Sequence, residues 1–517
     1  MEIHQIYGII KLNSKIIYGM KKNGSVMREF ISIYPKTDKM ILVSTKKQFQ
    51  INNMYCLCKV ETIKDNIYYA SILEYFGDIG NLNNELEFTK RLLSSDWNKI
   101  YYLHELNDDL NITINKNIYS IDPIGCIDID DALHIEEYND CYKIYIHIAD
   151  VSSYIKENTD LDMEISKRAE SIYLPNKTIH MLPDNLMKIC SLTQNKISKV
   201  VSVVLTILKD TYEIIKYEIQ RNNIQPINLS YEQADELKET NQDIKNLYDI
   251  GNKLNNDKFN LINYDIHKMV EIYMILANHY VAEIIKFNKQ YLLRIHNGVS
   301  HKTLSDDPIK MLSDDPIKTL SDDPIIEKFK NINIEKAQYI LCTQEYQGNK
   351  LHKMFTNNGL IYTHFTSPIR RYADIIVHRM LFDEIKLDNN IIDNINFKHS
   401  HYQKYERLTE NLIKIYQLKD SSFETSAIII SLEPFIIYIK SLDLMIYHHI
   451  ISDKIKDLFE IINNDNNLQI INKNNDVIQF ELFQKIKIII SITLNKWNKV
   501  NIQIIEPYVN ILFYDDY

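Results

Sequence analysis

The sequence predicts an α+β protein: a central mixed domain flanked by two small β-barrels. Three observations carry this. Short strand-like runs separated by lysine-bearing turns fill residues 5–75. Strand patterning returns beyond residue 420. Helical periodicity is strongest in between, at residues 262–288 and 368–386.

The N-terminal runs are Ile9 and Ile10, then residues 31–34, 40–43 and 55–60. Short strands at such close spacing suggest a small barrel. Residues 84–95 read as a helix. Residues 117–153 hold two strand candidates, one ending near Ser120 and one at 142–148 with period-two alternation. Residues 386–420 are polar and helical in pattern. The runs 427–430, 435–439, 486–490 and 500–504 suggest the second barrel. Residues 303–325 repeat TLSDDPIK with a period of eight, too short for a solenoid unit. Ser-Asp-Asp-Pro is turn chemistry, so a solvated surface loop is expected there.

With 517 residues, 45% hydrophobic and 25% charged, the chain has ordinary globular composition and length for two to four domains. Its six cysteines show no CxxC pair and no regular spacing, which argues against a disulfide framework and a structural zinc site. Free thiols in a reducing compartment are expected. No apolar run reaches transmembrane length, and MEIHQIYGII lacks the layout of a secretory signal. The expectation is therefore an intracellular protein without a membrane role, cytoplasmic or nuclear. Net charge is −10, yet residues 1–60 hold ten Lys and Arg against three Asp and Glu. That local excess can attract a phosphate backbone, or it is a solvated lysine-rich face.

The segment richest in chemistry is SIDPIGCIDIDDALH, residues 120–134. Asp122, Asp128, Asp130 and Asp131 fall within ten residues, interleaved with apolar neighbours. Partly buried carboxylates this close repel and do not all ionise unaided. A hard divalent cation such as Mg²⁺ resolves the conflict, and an acidic surface loop is the plainer alternative. A calcium EF-hand loop fits badly, because its Gly and closing Glu are misplaced.

In FTSPIRRY, residues 365–372, Ser367 reads as a helix N-cap, Pro368 as the first helical residue, and Arg370 and Arg371 as first-turn cations. Cations are unfavourable at that end of a helix. Free N–H groups beside two guanidinium groups invite a phosphate, unless an acidic partner lies elsewhere in the fold. In residues 269–278, Glu271 and Asn278 share one stripe of an apolar helix and need partners. Tyr173 lies in SIYLP, followed by Met181-Leu182-Pro183 and Cys190-Ser191-Leu192. It is packing or a stacking surface for a base.

Taken together and in this order, SIDPIGCIDIDDALH, IHIADVSSYI, YLPNKTIHMLP, MVEIYMILAN, LLRIH and THFTSPIRRYADIIVHR resemble the signature blocks of the RNase II/RNase R superfamily and its RNB catalytic domain. The match is closest to the catalytic exonuclease of the eukaryotic exosome. The resemblance implies an RNB catalytic domain over residues 100–385 and a cold-shock-like OB barrel over 1–82. It implies a helical connection at 386–420 and a diverged S1-like OB barrel over 421–512. It also implies a 3′-to-5′ exoribonuclease that hydrolyses single-stranded RNA processively to 5′-mononucleotides with Mg²⁺ or Mn²⁺. The alternative is a catalytically weakened RNA-binding member.

By the same resemblance, Asp122, Asp128, Asp130 and Asp131 match metal ligands, with Asp130 and Asp131 catalytic. Arg370 matches the arginine at the scissile phosphate. Tyr173 matches a tyrosine stacked near the RNA 3′ end, and Glu271 a glutamate holding the terminal nucleotide. Ile272 stands where the family has a second Glu, and the family's RGALD-like block is not recognisable in residues 235–265. The eukaryotic relative's PIN domain and first cold-shock domain have no counterpart here. A monomer without docking to an exosome core is therefore expected.

Overall fold

The computed structural model describes residues 5–47, 49–50, 52–93, 112–175, 177–259, 261, 263–295, 337–346, 351–352, 360–383, 385–418, 421–432, 435–448, 459–464, 467–472, 477–494, 499–506 and 512–514. They belong to two compact units, Met1–Ser95 with Lys404–Tyr517, and Asp96–Gln403. The acidic repeat at 303–325 lies outside the described residues. Among those described, no helix is long and apolar enough to cross a membrane.

The first unit opens with β1 (Gln5–Ile10), β2 (Val26–Tyr34), β3 (Ile41–Thr45), β4 (Met54–Lys64) and β5 (Ile67–Asp78). They close into a barrel in the order β1-β2-β3-β5-β4, with β3 and β5 parallel. Side-chain alternation turns Ile6, Phe30, Val43, Cys56, Cys58 and Ala70 into its core. Helix α1 (Leu82–Leu93) follows, and its Phe88 ring stacks on Tyr55 at 4.6 Å.

The second unit contains β6 (Tyr119–Asp122), β7 (Asp131–Glu137), β8 (Cys141–Ala149) and α2 (Asp160–Arg168), then the hairpin of β9 (Ile172–Leu174) and β10 (Lys177–Ile179). Next come α3 (Asp184–Cys190), β11 (Ser198–Leu208), β12 (Ile214–Ile224), β13 (Ile227–Ser230), α4 (Tyr231–Leu237), α5 (Gln242–Leu254) and α6 (Ile266–Ile285). β14 (Gln290–Ile295) pairs with β15 (Gln338–Thr343), and β16 (Leu351–His352) with β17 (Leu360–Ile361). Helices α7 (Tyr372–Phe382) and α8 (Asn389–Leu418) follow.

The main sheet runs β12-β11-β8-β7-β6-β13, antiparallel except for β6 with β13. β11 is buried along most of its length, so it is apolar without alternation. Several helix starts are capped locally. Thr159 caps α2, Asp265 caps α6, and Ser230 forms a reciprocal capping box with Gln233 on α4. Residues 117–153 form three strands rather than the expected two. β7 escapes the apolar pattern because Asp131, His134, Glu136 and Glu137 interrupt it, yet it pairs with β8 along its whole length.

The C-terminal part of the first unit holds β18 (Ser422–Leu432), β19 (Phe435–Ile439), β20 (Leu444–His448), β21 (Phe459–Asn464), β22 (Asn467–Asn472), β23 (Val477–Glu481), β24 (Lys485–Ile492), β25 (Val500–Glu506) and β26 (Leu512–Tyr514). A six-stranded sheet, β20-β19-β18-β24-β25-β26, and the three-stranded β21-β22-β23 share one core of Ile429, Ile437, Ile488, Ile470 and Phe480. Within this unit the buried Glu85 carboxylate of α1 accepts the Gly80 N–H at 3.0 Å and the Tyr416 hydroxyl at 2.9 Å. It also pairs with the buried Lys499 ammonium at 2.9 Å.

Candidate active site

Asp122 ends β6 and Asp131 begins β7, so sheet backbone fixes both. The parallel register sets Asp122 beside Ser230, and Asp131 pairs with Ile148. The loop between them turns where the Cys126 N–H donates to the Pro123 carbonyl at 3.0 Å. Gly125 takes φ +84° there, a conformation that a side chain would strain. The end of the loop is anchored from two sides. The Ile129 N–H donates to Ser191 Oγ at 3.1 Å, the Leu192 N–H to the Ile129 carbonyl at 3.0 Å, and the Ala149 N–H to the Asp130 carbonyl at 2.9 Å.

Asp130 is 4% exposed. Its Oδ1 accepts the Ile369 N–H at 2.9 Å and its Oδ2 accepts the Arg370 Nε–H at 3.2 Å. Arg370 Nη2 donates to Ser367 Oγ at 3.0 Å, and the side chain remains 47% exposed. Tyr173, the middle residue of β9, donates its hydroxyl to Asp128 Oδ2 at 2.7 Å, with the residue 41% exposed. The two segments are themselves tied together. The Ser171 N–H donates to the Arg370 carbonyl at 2.9 Å, and the Tyr372 N–H to the Ala169 carbonyl at 2.8 Å.

Burial, with repulsion from Asp128 added, pushes the Asp122 carboxyl up to about 6. Burial pushes Asp130 up to about 7 against the opposing pull of Arg370 and the Ile369 N–H. Burial first, then Asp122 and Asp130, hold Asp131 well above the usual carboxylate range. Asp122 Oδ2 is buried without a hydrogen-bond partner. An orphaned carboxylate oxygen among repelling carboxylates is a donor set that suits a hard divalent cation. Among the described residues, no three His, Cys, Asp or Glu side chains form a ready-made cage. The aspartates would therefore supply only part of the shell of such a cation.

The helix start differs from the sequence expectation. α7 begins at Tyr372, with Arg371 at its N-cap, so neither Arg370 nor Arg371 sits in its first turn. Residues 367–371 form a separate turn closed by the Arg371 N–H on the Ser367 carbonyl at 3.0 Å. The reason is Asp374, buried in the first turn of α7. It reaches back to accept the Ser367 N–H at 2.7 Å and Arg371 Nη2–H at 2.8 Å. Both arginines thus have acidic partners, Asp130 for one and Asp374 for the other.

Glu271 stands apart from this hydrogen-bonded set, paired with Lys268 one turn earlier on α6. Asn278 of the same helix is buried and supports the arginine segment. It accepts the Phe365 N–H at 2.8 Å and donates to the Tyr362 hydroxyl at 2.9 Å. Tyr231 was not singled out in the sequence, yet it starts α4 directly after Ser230. Burial, then Asp131 and Asp122, raise its hydroxyl to about 12, and its ring stacks on His267 at 3.5 Å. Nothing local distinguishes it among 35 tyrosines.

Residues 111–386 match the RNB domain family. The mouse exosome complex exonuclease RRP44 is 26% identical over 490 residues, covering 78% of this chain and 51% of that protein. The chain spans about half the length of the curated relatives it matches. Among solved structures, Mycoplasma genitalium RNase R in complex with ribose-methylated single-stranded RNA superposes with a TM-score of 0.72 at 18% identity, over 96% of this chain and 88% of that one. Yeast Ssd1, a pseudonuclease, gives 0.68 at 17% identity, over 98% and 83%. These structural likenesses are of fold, an α+β RNB core with flanking OB domains.

Proposed function

Because the chain belongs to the RNB domain family, we propose that it is a 3′-to-5′ exoribonuclease that degrades single-stranded RNA processively to 5′-mononucleotides. The observation that carries this reading is the double engagement of Asp130. It joins the aspartate loop to Ile369 and Arg370 of the arginine turn.

Asp122, Asp128, Asp130 and Asp131 would hold Mg²⁺ or Mn²⁺. Such a cation, when bound, supplies charge neutralisation at the phosphate and a more acidic water. The remaining work falls to side chains. Asp122 and Asp131, at the ends of neighbouring strands, hold the acidic floor rigid. Asp130 and Ser367 orient the Arg370 guanidinium through Nε and Nη2 and leave three N–H donors for phosphate oxygens. A preoriented cation beside a buried carboxylate stabilises charge as it develops on the phosphate. Tyr173, held by its hydroxyl, offers its partly exposed ring to the terminal base. Glu271 would take the terminal nucleotide in exchange for its contact with Lys268.

The test is incubation of 5′-labelled single-stranded RNA with the protein and Mg²⁺, beside matching DNA and an Asp130→Asn variant. The expected result is a ladder shortening from the 3′ end, on RNA alone, and absent in the variant. Binding without cleavage by the unaltered protein selects the second reading, a catalytically weakened RNA-binding member. The fold likeness to a pseudonuclease is what favours keeping that reading. Equal cleavage of DNA overturns the RNA assignment.

A further inference from the structure

We infer that His399 is a positioning residue. Through Glu170 it fastens to α8 the strip of residues 168–173, which carries Tyr173 and binds the Arg370 segment, and it does so as a neutral ring protonated on Nδ1. The functional weight of this rests on the reading of Arg370 and Tyr173 above.

The tautomer follows from its neighbours. Arg294 has donors only, and its Nη2 lies 3.0 Å from His399 Nε2. The Gln403 amide nitrogen lies 3.1 Å from the same ring nitrogen. Nε2 must therefore accept, and the ring proton belongs on Nδ1. Nδ1 faces both Glu170 carboxylate oxygens, at 3.1 and 3.0 Å. His399 thus needs one acceptor and one donor at once, between a guanidinium and a carboxylate.

The surroundings are stiff. The Arg294 guanidinium lies 4.7 Å over the Tyr339 ring. Asn396 of α8 exchanges two 2.8 Å hydrogen bonds with the Tyr339 backbone. The Tyr402 hydroxyl, also on α8, donates to the Arg168 carbonyl at 3.1 Å. Asn396, His399, Tyr402 and Gln403 recur at helical spacing and form one gripping face.

The strip needs the grip. Ala169 takes φ +67° with ψ −45°, outside the left-handed helical region, in a tight turn where the Glu170 N–H donates to the Arg168 carbonyl at 2.9 Å, a conformation that non-glycine residues adopt at a cost. On its other side the strip pairs with the arginine segment through Ser171, Glu170 and Ala169. His399 touches none of the four aspartates in this chain of contacts. It acts through Glu170 on the backbone that sets Arg370 and Tyr173.

The experiment uses the full chain with His399→Gln, His399→Lys and His399→Leu. Gln offers both an accepting carbonyl and a donating NH₂ group, Lys only donors, and Leu neither. Two readouts are taken: cleavage of labelled RNA with Mg²⁺, and amide hydrogen exchange at Ser171 and Tyr372 in the metal-free protein. The Gln variant is expected to keep kcat within about threefold, while Lys and Leu lower it about ten- to hundredfold with KM little changed. Protection of the two amides should hold in Gln and fall in Lys and Leu.

Equal behaviour of Gln and Lys in both readouts overturns the inference, because the donor–acceptor requirement is then absent. Loss of protection throughout the unit in all three variants overturns it too, because His399 is then simply packing. If the unaltered chain does not cleave RNA, the functional reading fails separately. The exchange pattern then decides the positioning role by itself.

Discussion

The Nε of Arg370 donates to Oδ2 of Asp130 at 3.2 Å across 240 residues of chain. Each partner has a second hold, Asp130 on the Ile369 N–H and Arg370 on Ser367 Oγ. The pair therefore sets a direction for the guanidinium plane as well as balancing charge.

Arg370→Ala should lower kcat on labelled RNA by roughly 10²–10³-fold, the usual loss for one preoriented donor at a reacting centre. Arg370→Lys should recover little, because an ammonium lacks the forked plane that Asp130 and Ser367 orient. Single-turnover cleavage at saturating RNA reads this directly. Near-normal rates in the Lys variant would mean that charge alone suffices.

The cation should displace protons. Asp122 and Asp130 are raised to about 6 and about 7, above the ordinary carboxylate value. Their protonated forms are therefore favoured in the folded chain. The stability this contributes is present at low pH and lost as pH rises through those values. A divalent cation needs the ionised carboxylates, so its binding near neutrality should release protons. It should also raise Tm more at about pH 8 than at about pH 5.5. Calorimetric titration with Mg²⁺ in buffers of different ionisation heat counts the protons, and Asp122→Asn should reduce the count.

A buried imidazole pair predicts acid sensitivity in the opposite sense. His134 Nδ1 lies 2.7 Å from His147 Nε2, and His147 Nδ1 lies 2.7 Å from Ser202 Oγ. Burial lowers His134 to about 4 and holds His147 well below the usual range. The unfolded chain takes up these protons first. Stability is therefore full above the ordinary histidine value of about 6.5 and is lost as pH falls from there towards about 4. Thermal unfolding of the central unit should show that slope, and His134→Phe should flatten it.

In the first unit, Lys499→Met should destabilise by about 3–5 kcal/mol, because it leaves the Glu85 charge buried and unbalanced. Replacing both partners, Glu85→Leu with Lys499→Met, should cost clearly less than Lys499→Met alone. Urea unfolding of the single and double variants gives the comparison. A double variant worse than the single would show that the Gly80 and Tyr416 bonds outweigh the ion pair.

Tyr173→Phe keeps the ring and loses the hydrogen bond to Asp128, whereas Tyr173→Ala loses both. If the ring stacks on a base, the Ala variant should weaken binding of short RNA by about 1–3 kcal/mol. The Phe variant should lose markedly less binding. Fluorescence anisotropy with RNA in the absence of divalent cation separates the two.

Legibility in the sequence followed distance along the chain. The aspartate cluster was readable because four carboxylates in ten residues repel whatever the fold around them. The N-terminal barrel was readable because alternation and short turns are local. Ser367 and Pro368 also made a local signal, and it misled. Asp374 captures the Ser367 N–H and moves the helix start to Tyr372, and side-chain competition of that kind has no periodicity to read. β7 was missed because its buried His134 takes its partner from the next strand.

By itself the sequence determined the α+β class, the acidic loop, and the resemblance that points to RNA, since each rests on residues near one another in the chain. The tertiary structure alone decided which carboxylate holds Arg370, which tyrosine reaches Asp128, and that Glu271 pairs with Lys268 instead of joining them. It also decided that a strained strip at Ala169 ties Tyr173 to the arginine turn. The physical reason is that hydrogen bonds and burial depend on distance in space. Closing the sheet and packing the helices brings together groups whose separation along the chain carries no signal.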